Sequence, residues 1–229
     1  RDPKVFPETK FFSSNEVMMG DIVQTSESKA LLKLHVLAHS PIERIEIRNG
    51  TEILETFRPY NSNDLGSRIR VIWSGAEYRG RGRQSSWKGR AFFKDCNIER
   101  MARINAWNHE RKLERCSKDT VEWDAITTGN FGGFDVWLEE GKKSELILKC
   151  NRGEIQIPLS SIGFEDTVLE AGGLERRLRV FRLPSENLHR EVHHHLLIPL
   201  KPNGDNPLWI CVTTEDGFQA WSSPVFVFN

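Results

Sequence analysis

The sequence predicts an all-β protein: an enlarged immunoglobulin-like β-sandwich with room for an inserted second β unit and at most one short helix. Three observations carry this expectation. Short segments rich in β-branched and aromatic residues recur along the chain, each bounded by Gly, Asn, Asp or Pro. An Asn-Gly pair near the start and an Asp-Gly pair near the end each separate two strand-like runs, the strongest short signal of a hairpin. Finally, about 150 residues separate these two hairpins, more than the roughly 100 that an ordinary immunoglobulin-like domain needs in total.

The elements follow in order. Residues 1–16, RDPKVFPETKFFSSNE, carry two prolines and read as a lead-in segment. Residues 17–229 read as a single sandwich-type domain with a large insertion between about 60 and 205. ALLKLHVLA (30–38) is a strand-length apolar run closed by Ser40-Pro41, where the ladder cannot continue. In IERIEIRNGTEILETF (42–57), Asn49-Gly50 joins two extended runs, since the central positions of a type I′ turn need positive φ. RIRVIW (68–73), FDVWLE (134–139), ELILKC (145–150) and RLRVFRL (177–183) repeat the strand grammar. PLWICVTT (207–214) and FQAWSSPVFVF (218–228) form the closing pair around Asp216-Gly217, with Pro224 where an edge or bend tolerates it. The segment 97–116 is the best helix candidate, with Ile98, Met101, Ala102, Asn105 and Ala106 at spacings of three and four, although the same letters suit an extended connection after RAFFKDC.

Composition narrows the function classes. Lysine plus arginine equals aspartate plus glutamate at 32 each, so the whole-molecule field attracts neither nucleic acid nor an anionic membrane. The longest apolar runs, such as LLIPL (196–200), fall far short of the roughly 20 residues of a membrane span. The opening Arg1, with no apolar targeting region behind it, reads as the start of a fragment or mature product. The cysteines Cys96, Cys116, Cys150 and Cys211 stand far apart without a CxxC pair, which suits buried thiols. No cofactor is called for.

Chemistry has few places to sit. GNFGGF (129–134) precedes a strand rather than a helix, so it reads as a tight turn or bulge and not as a phosphate loop. No G-x-S-x-G elbow is present. In HREVHHHLL (189–197), His193 and His195 would share one face of a strand and form a weak metal pair, needing further donors such as His35, His39 or distant carboxylates.

YRGRGRQSSWKGR (78–90) is the most conspicuous segment. Residues 68–90 hold seven cations, Arg68, Arg70, Arg79, Arg81, Arg83, Lys88 and Arg90, against Glu77 alone. If extended, the segment would align Arg79, Arg81 and Arg83 on one face. With Trp87 and Arg90 they are the candidate ligand residues, suited to carboxylate or phosphate contacts with Trp73, Tyr78 or Trp87 as a stacking surface. The competing expectation pairs these arginines with carboxylates of this protein or of a neighbouring domain.

Three stretches together carry a family resemblance: VMMGDIV (17–23), SPIERIEIRNGTEI with RIRVIWSGAEYRGRGRQSSWKG, and EDGFQAWSSPVFV. The chain resembles the β-rich C-terminal portion of large, mostly bacterial proteins of uncharacterised function. Their N-terminal portion is similar to PHP (polymerase and histidinol phosphatase) metal-dependent phosphoesterases. The resemblance implies that hydrolase chemistry belongs to that upstream domain, whose metal ligands include a His-x-His motif. His193 and His195 have that spacing but not its sequence context, so no ligand carries over. The expected role is a non-catalytic accessory domain whose partner is the PHP-like domain. A carbohydrate- or anion-binding module is the alternative, with a small anionic or saccharide ligand, and a free-standing metal hydrolase ranks last.

Overall fold

The computed structural model describes residues 6–12 and 16–228, with 6–12, 16 and 140–142 traced by backbone alone. Its strands run β1 Phe6–Phe12, β2 Glu16–Met18, β3 Ile22–Gln24, β4 Lys29–Leu37, β5 Ile42–Asn49 and β6 Glu52–Phe57. Then come β7 Arg68–Ala76, β8 Ser85–Ile104, β9 Leu113–Ser117, β10 Thr120–Thr127, β11 Phe131–Cys150, β12 Gly153–Pro158, β13 Thr167–Glu170 and β14 Leu174–Leu183. The chain closes with β15 Glu191–Pro199, β16 Asp205–Thr214, β17 Gln219–Trp221 and β18 Val225–Phe228. Among the described residues the helical turns are two short 3-10 turns, Ser62–Asp64 and Leu159–Ser161. The protein is all-β, as its sequence predicts.

Two compact units divide the chain. One comprises residues 1–59 and 187–229, and the other, residues 60–186, is inserted between β6 and β15. The excursion therefore closes at Glu186 rather than near 205, and β15 belongs to the first unit. Within the expected lead-in, residues 6–12 form β1, paired antiparallel with β4; residues 1–5 and 13–15 lie outside the described residues.

The first unit is a two-sheet sandwich. One sheet has the order β15-β4-β1-β2, and the other β3-β18-β16-β5-β6 with β17 beside β16. The connections β4 to β5 and β15 to β16 each cross from one sheet to the other. Period-two alternation supplies the core: Leu32, Leu34 and Val36 on β4 pack with Ile45 and Ile47 on β5 and Ile210 on β16. The β5–β6 hairpin forms one residue later than its Asn-Gly pair suggests. Asn49 pairs with Glu52, so the two loop residues are Gly50 and Thr51, and Gly50 takes the positive φ of 60°. Asn49 is instead buried, and its side-chain amide donates to Asn206 Oδ1 at 2.8 Å.

The second unit is built on two 20-residue strands, β8 and β11, which pair antiparallel almost end to end. β7 flanks the first half of β11, β12 its second half, and β10 the first half of β8. The order β13-β14-β7-β11-β8-β10-β9 places three ladders between β7 and β10, about 14 Å across a flat sheet. The two strands also flank opposite ends of the β8–β11 pair, which in a flat sheet would hold them farther apart still. Yet the rings of Trp73 on β7 and Trp123 on β10 stack with centroids 5.2 Å apart. The sheet therefore folds over on itself, and one face closes around a single core that includes Trp73, Trp87, Phe93, Trp123, Phe134 and Leu148.

A helix over 97–116 does not form. Residues 97–104 continue β8, and 113–117 form β9. In the β8–β11 ladder, Arg100 opposes Trp137 and Ile98 opposes Leu138, leaving Glu99 as the extra residue of a bulge. The bulge reverses the inward phase, so Ile98 and Met101, three apart, both reach the same core. That spacing imitates helical periodicity. The glycines of GNFGGF also divide: Gly129 lies in a turn with φ 106°, whereas Gly133 is inside β11, where a Cβ would stand 2.1 Å from the Val71 carbonyl oxygen.

Candidate functional site

The cationic segment separates into three environments. Arg68 and Arg70 point from β7 onto Asp135 of β11, which stands directly opposite Arg70. Arg70 donates through Nε to Oδ1 at 2.7 Å and through Nη2 to Oδ2 at 2.8 Å. Arg68 donates to Oδ2 through Nε at 2.9 Å and also through Nη2. All three side chains are buried. Burial opposes ionisation of Asp135, but the Arg70 and Arg68 guanidiniums overcome it and hold the carboxyl below the usual aspartate range. Arg68 and Arg100 also lie over the Trp137 ring, at 4.8 and 4.2 Å from its centroid. These charges are structural.

Lys88 and Arg90 lie on β8 opposite acids of β10. Lys88 Nζ stands 3.0 Å from Asp124 Oδ2, and Arg90 is the register partner of Glu122. Hydrogen bonding from Lys112, aided by the fields of Lys112 and Arg90, keeps the Glu122 carboxyl below its ordinary range. Arg68, Arg70 and Lys88 thus pair with neighbouring carboxylates as expected, and Arg90 stands opposite one.

Arg79, Arg81 and Arg83 differ. Residues 77–84 form the loop from β7 to β8 rather than a strand, because Gly80 and Gly82 take φ of 94° and 77° and break the alternation. The expected single-faced row therefore does not exist. All three arginines are exposed, and among the described residues no hydrogen bond or ion pair engages their guanidiniums. Exposed Tyr78 accompanies them. Trp87 does not: it is 0% exposed and donates through Nε1 to Thr127 Oγ1 at 3.0 Å, while Trp73 is 2% exposed. Neither offers a ring face beside the three arginines, which corrects the expectation of a stacking surface there. Gly89 instead makes room for Trp123, whose ring carbon Cζ2 would lie 2.2 Å from an added Cβ.

The histidines assemble in an unforeseen set. β15 pairs with β4 so that His193 lies opposite His35, and their rings stack at 4.1 Å with an interplanar angle of 12°. Glu191, two residues before His193, brings Oε1 within 2.8 Å of His35 Nε2 and 3.3 Å of His193 Nε2. Hydrogen bonds from His35 and then His193 hold the Glu191 carboxyl below its ordinary range. His195 lies outside this group, opposite Lys33. His194, on the other face, stacks on Phe57 and contacts Glu55 Oε1 at 3.1 Å. Sequence reasoning missed Glu191, although the same period of two that linked His193 to His195 reaches it.

The second unit also holds a groove of about 180 Å³ between the 105–112 loop and the start of β11. Trp73 forms part of its floor, and Asn105, Trp107, Asn108, Arg111 and Asn130 stand around it. Trp107 is 68% exposed. Asn105 has φ 50° and donates through Nδ2 to the Phe131 carbonyl at 3.2 Å, which ties the loop to β11. The signal in the sequence was the NAWNH cluster, whose asparagines suit a loop better than the helix expected there. Of the cysteines, Cys96 and Cys211 are buried, Cys150 is partly buried, and Cys116 is exposed, against the expectation of four buried thiols.

No protein-family model matches this chain, and no curated protein sequence matches it significantly.

Proposed function

We propose that the chain is a non-catalytic accessory region that works beside a PHP-like metal-dependent phosphoesterase and docks on it through the 77–84 loop. The observation that carries this reading is the isolation of Arg79, Arg81 and Arg83. The other four cations of the segment lie on or opposite acids of their own unit, whereas these three are exposed and unengaged on a short connection between two core strands. Guanidiniums in a neutral chain favour a local, carboxylate-bearing protein surface over nucleic acid, where affinity grows with many phosphates neutralised together. The pairing would weaken with salt, since the Debye length falls to about 8 Å at physiological ionic strength.

The test is binding of this chain to the separately produced PHP-like region by calorimetry. Replacing Arg79, Arg81 and Arg83 together by Glu is expected to weaken binding by roughly a hundredfold or more, because charge reversal sets like charges face to face. The melting temperature should not move, since exposed loop substitutions usually change stability by less than about 0.5 kcal/mol. Equal binding by the triple variant would remove the docking role. Hydrolysis of bis-p-nitrophenyl phosphate by the chain alone, lost on His193→Ala, would remove the accessory reading altogether.

A second reading, a saccharide-binding module, is favoured by the groove at Trp107. An exposed indole beside three asparagines and an arginine offers a stacking face with hydrogen-bonding groups around it. A neutral and acidic oligosaccharide panel should then produce a thermal shift in the native chain that Trp107→Ala abolishes. No shift from any member would dismiss it.

A further inference from the structure

We propose that His35, Glu191 and His193 form a zinc site that fastens β15 to β4 after the chain returns from the inserted unit. The three donor atoms lie within 4.8 Å of one another. In a tetrahedral site with bonds of about 2.0 to 2.2 Å, donor atoms stand roughly 3.3 Å apart. Glu191 Oε1 is 2.8 and 3.3 Å from the two imidazole Nε2 atoms, so the carboxylate already spans the required edge. The two rings are stacked nearly parallel. A metal must lie in each ring plane, so binding turns the rings out of the stack, and their exposure on the sheet face leaves room for that turn.

Donor chemistry selects the ion. Two imidazole nitrogens and one carboxylate oxygen suit Zn²⁺ or Co²⁺ and not Mg²⁺ or Ca²⁺, which take oxygen ligands. The fourth position is left to water. His35 and Glu191 are 156 residues apart in sequence but sit on adjacent strands of one sheet. A metal bridging them closes that long loop, and closure of long loops removes the most freedom from the unfolded chain. The bound ion therefore acts as a staple, and its effect is read in stability and binding, independently of any hydrolase reading.

The experiment uses the tag-free chain, titrated with ZnCl₂ by calorimetry and with CoCl₂ by absorption, with MgCl₂ and CaCl₂ as comparisons. One Zn²⁺ per chain is expected, together with a zinc-dependent rise in melting temperature and tetrahedral Co²⁺ bands. His35→Ala and His193→Ala should each weaken zinc binding by roughly tenfold or more, since even outer-shell partners of metal ligands are worth about 10- to 100-fold. Glu191→Gln, nearly isosteric, should do the same and serves if a histidine variant folds poorly. His195→Ala should bind as the native chain does. Binding should also fade on acidification, because protons compete for the imidazole nitrogens. Absence of one-to-one binding, equal loss in His195→Ala, or equal binding of Mg²⁺ would overturn the site.

Discussion

Asp135→Ala is expected to destabilise the inserted unit by about 3 to 5 kcal/mol, the cost of leaving buried charges without their counterion. Asp135 accepts from both Arg68 and Arg70, and all three are buried in the sheet formed by β7 and β11. The substitution removes the carboxylate that balances both guanidiniums. Urea unfolding followed by tryptophan fluorescence reads the right region, because Trp73, Trp87, Trp107, Trp123 and Trp137 all lie in residues 60–186. A loss under about 1 kcal/mol would show that water reaches the cluster and screens it. Replacing all three by apolar residues, Arg68→Met, Arg70→Met and Asp135→Leu together, should recover much of the loss, since well-packed apolar substitutes often match a buried ion cluster.

The same carboxylate sets an acid dependence with a definite sign. Its folded-state pKa is depressed below the ordinary value of 3.8 by Arg70 and Arg68, against the opposing effect of burial. The unfolded chain therefore binds the proton first. The stabilisation is present in full above the unfolded value and is lost as pH falls through the folded one. Native protein should thus lose stability more steeply than Asp135→Ala below about pH 4, a difference measurable as converging urea midpoints.

How legible this was in the sequence depends on the distance over which the signal acts. The strand at 30–38 shows the two-residue burial period of an extended chain, and those at 42–57 and 207–214 were readable from the Asn-Gly and Asp-Gly turns beside them. The inserted unit was less legible because its two long strands fold the sheet over, and because the bulge at Glu99 makes Ile98 and Met101 look helical. For the candidate sites, composition correctly marked residues 68–90 as unusual, yet only register shows that Arg70 faces Asp135 while Arg79, Arg81 and Arg83 have no such neighbour. The expected arginine row failed on backbone conformation: Gly80 and Gly82 adopt positive φ, so side-chain alternation does not pass through them. His35 was named as a conceivable partner of the later histidines, but the β4–β15 pairing that puts it opposite His193 is a long-range fact.

Tryptophan separates core from surface most sharply. Trp123→Ala is expected to cost about 3 to 5 kcal/mol, the usual range for deleting a large buried aromatic. Its ring stacks on Trp73 at 5.2 Å, lies 5.8 Å from Phe134, and occupies the gap that Gly89 leaves on the adjacent strand. Deletion opens a cavity bounded by two other aromatic rings, and the fold-over between β7 and β10 loses the contact that marks it. The same urea experiment that reports Asp135→Ala measures this loss, with a fall in the folded baseline as well as in the midpoint. Trp107→Ala removes an equal side chain that is 68% exposed, so its stability should stay within about 0.5 kcal/mol of the native value. A large loss for Trp123→Ala beside almost none for Trp107→Ala separates an aromatic that holds the fold from one available to a ligand. Equal losses would place Trp107 in the packing of the 105–112 loop and remove the exposed ring on which the saccharide reading depends.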